Sequence, residues 1–160
     1  MMDQAMLIRK IPSITITLLI LLPNLLLLVL PPRNIPRGAG AVKLIFDIME
    51  KAGRLAIFVI PLFYTVKLNR LELPDKLALG GMLITLVLYY SGWIRFFKSG
   101  REYALLFSPM LSVPVPMAVF PVAYFAFSAL LLRSLPQLAA TLVFGAGHIP
   151  FAYFEYVKIK

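Results

Sequence analysis

An all-α bundle of five membrane-spanning helices is the fold this sequence predicts, on three observations. Of its 160 residues 61% are hydrophobic and 14% are charged, against roughly 45–50% and about a quarter in soluble domains. The apolar residues gather in five runs, four of which approach the ~20 residues a helix needs to cross a bilayer. Lys and Arg sit singly or in pairs between those runs, as membrane-flanking residues do. A chain so poor in polar groups cannot cover a globule with polar surface, so lipid is its expected solvent. Its length suits one domain, residues 1–160.

The first expected span is 11–30, "IPSITITLLILLPNLLLLVL". Arg9 and Lys10 precede it like the start of a secretory signal, but the run is long and ends in "LPPRN" without a small-residue cleavage pattern. It therefore reads as a retained anchor. An interfacial amphipathic helix follows over 41–53. Its charged stripe, Asp47, Glu50, Lys51 and Arg54, carries two acid-before-base pairs at i,i+4 spacing. The second span, 52–68, is the weakest, because unbroken apolar sequence runs only from Leu55 to Val66. Arg54 and Lys67 would have to snorkel outward to lengthen it, and four spans is the alternative.

The third span, 77–94, ends in tyrosines and "GWIRFF", a pattern typical of aromatic interface anchors. A semi-apolar stretch, 95–115, is expected to lie along the interface until Pro114 and Pro116 break it. The fourth and fifth spans, 116–132 and 138–156, are joined only by "RSLPQ" and so form an antiparallel hairpin. With five crossings, Arg9, Lys10, Lys67, Arg70, Lys76 and Arg133 fall on one side. Arg33, Arg37, Lys43, Lys51, Arg54, Arg95, Lys98, Arg101, Lys158 and Lys160 fall on the other. The richer side is expected to be cytoplasmic, which puts the N-terminus outside and the C-terminus inside a cell membrane.

Composition also excludes much. The net charge of +9 could suggest nucleic acid, but the scattering of the basic residues fits helix orientation against anionic lipid instead. The expected partner is the lipid bilayer. There is no cysteine and one histidine, so neither a disulfide nor a zinc centre is expected, and no cofactor is implied. No phosphate-binding glycine loop, H-E-x-x-H or G-x-S-x-G pattern occurs.

Prolines and in-span polar groups carry what remains. Of thirteen prolines, Pro23, Pro61, Pro121 and Pro150 fall inside expected spans. Each removes one backbone N–H and orphans one carbonyl, which a neighbour or water must satisfy in lipid. Several spans should therefore be kinked and the bundle splayed around a cavity. On the fifth span Thr141, Gly145, His148, Ala152 and Glu155 share one face. His148 is expected inside the bundle and Glu155 at the interface. On the third, Gly81, Thr85, Tyr89 and Gly92 make a second small-and-polar stripe.

Asn24, just after Pro23, can bond freed carbonyls. With Thr85, Tyr89, Tyr124, Ser128 and His148 it forms the candidate polar cavity. The function expected is non-enzymatic: binding or transport of a small apolar or amphipathic ligand, or service as a membrane subunit to a protein partner. The alternative is an intramembrane enzyme acting on a lipid-like substrate with His148 as acid/base, oriented by Glu155 or Tyr89.

Overall fold

A computed structural model describes residues 4–37, 43–66 and 71–159, with side chains from residue 11 onward. Among these the chain is all helical, with five α-helices and no strand. They are α1 Gln4–Leu26, α2 Leu44–Val59, α3 Leu73–Lys98, α4 Pro116–Leu131 and α5 Leu135–Ile159. Lys67, Arg70 and Lys160, used above to orient the chain, lie outside the described residues, as do the side chains of Arg9 and Lys10.

Local chemistry sets the helix ends. α3 opens with a reciprocal capping box between Glu72 and Asp75, with proline in its first turn, which satisfies N–H groups that a helix start leaves unpaired. Arg95 and Lys98 in its last turn complement the negative end of the helix dipole. α2 gives way at Pro61 to a 3-10 turn, Ile60–Phe63. Within the described residues, the interfacial helix expected over 41–53 and the span expected over 52–68 are thus one continuous helix and its terminal turn. Arg133, with φ 50°, makes the tight reversal between α4 and α5.

Two prolines leave carbonyls that other helices satisfy. Pro23 cannot bond Leu19 O, and the Tyr90 hydroxyl of α3 donates to that oxygen at 2.8 Å. Pro61 cannot bond Ile57 O, and Gln137 Nε2 of α5 donates there at 3.4 Å. The proline lesions are therefore sites of cross-helix bonding.

α5 packs between α2 and α4, and α3 packs on the far side of α4. α2 and α5 run antiparallel: Glu50 meets His148, Gly53 meets Phe144, and Ile57 meets Gln137. Two glycines make this seam tight. A Cβ at Gly53 would fall on the backbone of Phe144, and one at Gly147 on Glu50 N and Phe46 O. α1 is held against α3 and α4 by Tyr90 and by Tyr124, whose hydroxyl donates to Ile16 O at 3.0 Å.

Among the described residues α3, with 26 residues, is the one helix long and apolar enough to cross a membrane. The apolar stretches Ile11–Leu26 and Pro116–Leu131 are shorter. α5 has 25 residues, but His148, Pro150 and Glu155 interrupt its apolar character.

Candidate functional site

A cavity of ≈ 250 Å³ opens where all five helices meet. α1 contributes Ile20 and Asn24, α2 Arg54 and Phe58, and α3 Tyr89 and Trp93. Pro121 and Phe125 of α4 and Phe144, His148 and Phe151 of α5 complete the wall, with Leu106 and Phe107 of the α3–α4 connection. The lining is mostly apolar with a few polar groups, as small-molecule sites generally are.

His148 lies at this cavity because Gly147 precedes it. The glycine lets α2 approach closely enough that Glu50 Oε1 sits 3.2 Å from His148 Nδ1. The contact does not reach hydrogen-bond geometry, so it is a close polar contact rather than an aligned hydrogen bond. Phe144, one turn earlier, stacks on the imidazole with centroids 4.7 Å apart and planes at 18°. Arg54 pairs with the same Glu50 oxygen from its own helix. The Arg54–Glu50 ion pair and His148 thus form a small polar cluster at the α2–α5 seam.

The expected interfacial charged stripe is thus divided between the surface and the seam. Lys51 and Asp47 stay at the surface as an i,i+4 pair at 2.8 Å. The Glu50 side chain is only 12% exposed. Helical spacing cannot reveal which acid of the stripe turns inward, because that depends on where α5 supplies a glycine.

On the opposite wall Asn24 Nδ2 donates to Ile20 O at 2.9 Å and to the Tyr89 hydroxyl at 2.8 Å. Both amide hydrogens are thereby used. Tyr89 meets Trp93 one turn on in an edge-to-face contact at 6.0 Å. Trp93, expected as an interface anchor, is 5% exposed and packs among Tyr89, Phe96 and Phe97. Its Nε1 has no acceptor among the described residues. The signal that could have found it is its spacing of four from Tyr89, which puts both rings on one face.

Of the six residues expected to converge, Asn24, Tyr89 and His148 line the cavity. Tyr124, Thr85 and Ser128 are buried elsewhere. Thr85 donates to Gly81 O and Met82 O, and Ser128 to Phe125 O, all within their own helices. Their hydroxyls are spent on backbone, as short polar side chains on helices commonly are.

Glu155 is fully buried within the protein. It accepts from the Tyr103 hydroxyl at 2.9 Å and pairs with Lys158 at 2.8 Å. The α3–α4 connection covers it, because Arg95 pins that segment by donating to Leu105 O, Ser108 O and Pro109 O, each at 2.9 Å. Burial and the neighbouring Glu155 carboxylate raise the pKa of the Tyr103 phenol well above its ordinary value.

Among the described residues no three His, Asp or Glu side chains converge as a metal site would require. What the cavity offers is an imidazole next to a carboxylate, a guanidinium, and hydroxyl and indole donors set in aromatic walls. No known protein family matches the chain, and neither does any curated protein or solved structure.

Proposed function

We propose that the chain is a multi-pass membrane bundle that holds a small amphipathic ligand between its helices without transforming it. The observation that carries the reading is the cavity itself, to which all five helices contribute and in which Trp93 Nε1 has no acceptor among the described residues. Support for a lipid environment comes from the outward faces. On α3, Leu83, Ile84, Val87 and Ile94 are exposed, while Thr85, Tyr89 and Gly92 are buried. Leu142, Val143 and Phe154 of α5 are exposed likewise, with Thr141, Gly145 and Glu155 within. An apolar outside around a polar seam suits hydrocarbon rather than water.

In this reading the helices cross in alternation, with the N-terminus outside and the C-terminus in the cytoplasm. The absence of native cysteine makes the topology directly testable. Single substitutions Arg133→Cys and Lys98→Cys are treated in intact cells with a membrane-impermeant maleimide. Labelling of Arg133→Cys alone is the expected result. Equal labelling of both, or of Lys98→Cys alone, would overturn the orientation. For binding, the chain's single tryptophan lies in the cavity wall. A saturable change in its emission on adding short alkyl amphiphiles is expected, and a merely linear, partition-like change would refute the site.

A second reading has one specific observation in its favour. Glu50 beside His148 resembles the carboxylate–imidazole pairing of acid/base catalysis. Glu155 and Tyr89, expected above as orienting partners, bond instead to Tyr103 and Asn24. Under this reading Glu50→Gln would keep ligand binding and lose turnover of a lipid-like substrate.

A further inference from the structure

We propose that the cavity's ligand is an alkyl oxyanion, a carboxylate or phosphate head on an aliphatic tail, whose head is received by Tyr89 and Trp93. The proposal rests on the ligand-binding reading above and adds the chemistry of the ligand. It begins with an imbalance of donors and acceptors. Trp93 is 5% exposed, lines the cavity and leaves its N–H without an acceptor among the described residues. The Tyr89 oxygen lies near that N–H, but the two do not reach hydrogen-bond geometry. A buried donor of that kind is costly unless something fills its valence.

Tyr89 is in the same position by a different route. Its oxygen accepts from Asn24 Nδ2 at 2.8 Å, so its own O–H proton must point elsewhere, and among the described residues nothing receives it. The two residues are one helical turn apart on α3 and both line the cavity, so one ligand head can answer both donors. Across the cavity Arg54 adds a guanidinium to the lining.

Against these donors the lining offers Asn24 Oδ1 and the imidazole of His148 as acceptors, and no carboxylate. Glu50 stands outside the lining and is engaged by Arg54 and His148. A cationic head would therefore find no counter-charge on the wall. An oxyanion finds two neutral donors beside an Arg54 guanidinium that it would share with Glu50, and bonds to an ionised acceptor are the stronger ones. The tail is accommodated by rings, with Phe58, Phe125 and Phe144 forming the apolar wall.

The test uses the full-length chain in nanodiscs of zwitterionic lipid, with Trp93 emission as the readout. Three probes of equal tail length are titrated: undecanoic acid, decyl phosphate and decylamine. A saturable response to either anion, with none to the amine at equal concentration, is the expected result, and the two anions separate carboxylate from phosphate. Tyr89→Phe should weaken the anion about tenfold or more. The head-group selectivity of the unaltered protein decides the matter even where that variant folds poorly. Saturable binding of all three probes with equal affinity would overturn the oxyanion proposal and leave the ligand-binding reading standing. No saturable response to any probe would overturn both.

Discussion

Gly147 shows how much one residue decides in this molecule. Its missing side chain brings the α2 backbone against α5, and that approach brings Glu50 to His148. Gly147→Ala is expected to destabilise by about 1–3 kcal/mol, because the atoms in its way are backbone and cannot turn aside. Gly80 is the control: a Cβ there meets nothing within 4 Å. Gly80→Ala should be neutral or stabilise by up to ~1 kcal/mol through helix propensity. Thermal unfolding in detergent compares the two, and equal effects would refute the tight seam. Tyr103 supplies a pH dependence at the same scale. Burial and Glu155 hold its folded-state pKa above the unfolded value. Stability is then complete below about pH 10 and falls as pH rises beyond it, because the unfolded chain ionises first. Tyr103→Phe should reduce that alkaline loss, as followed by unfolding midpoints between neutral and strongly alkaline pH.

At the scale of elements, the prolines are the informative feature. Pro23, Pro121 and Pro150 lie within α1, α4 and α5, while Pro61 turns the end of α2 into a 3-10 turn. The carbonyls orphaned by Pro23 and Pro61 accept from Tyr90 and Gln137. Tyr90→Phe is expected to cost about 0.6–2 kcal/mol. In a Pro23→Leu background the substituted residue supplies the missing N–H to Leu19 O, and the cost of Tyr90→Phe should shrink towards zero. A double-mutant cycle measures this coupling directly, and additive costs would contradict the assignment. That proline lesions exist and need partners follows from the chain alone. Which residue answers each lesion does not, since Tyr90 and Leu19 are 71 positions apart.

For the whole molecule, closure depends on contacts between segments far apart in sequence. Arg95 gathers the carbonyls of the α3–α4 connection, which brings Leu106 and Phe107 over the cavity and covers Glu155. Arg95→Gln should make residues 103–113 readily cleaved by protease and shift the emission of Trp93, while the helix content measured by circular dichroism stays the same. An unchanged cleavage rate would show that the clamp is dispensable. At the other end of the bundle, Arg133 ties the α4–α5 turn to Glu72 and Asp75 at the start of α3. Those carboxylates raise the guanidinium's pKa further above its ordinary value. Arg133 is exposed there, so the contact aligns the turn more than it stabilises the fold.

The helical class of the chain was legible from its letters. Apolar runs broken by prolines and basic gaps demand elements that satisfy their own backbone, and the helix does so locally. The inward stripe of α5 was also legible, because helical spacing alone puts Thr141, Gly145, His148, Ala152 and Glu155 on one face. Depth and partnership were not. Glu155 is sealed from solvent because a distant loop covers it. Glu50 left the water because a glycine nearly a hundred positions later lets two helices touch. Trp93 became a cavity wall because its face of α3 meets α1 and α4. Periodicity is a property of one helix, so the sequence by itself determined faces. Burial and charge pairing are properties of two or more helices in contact, so only the tertiary structure decided which of those faces meet.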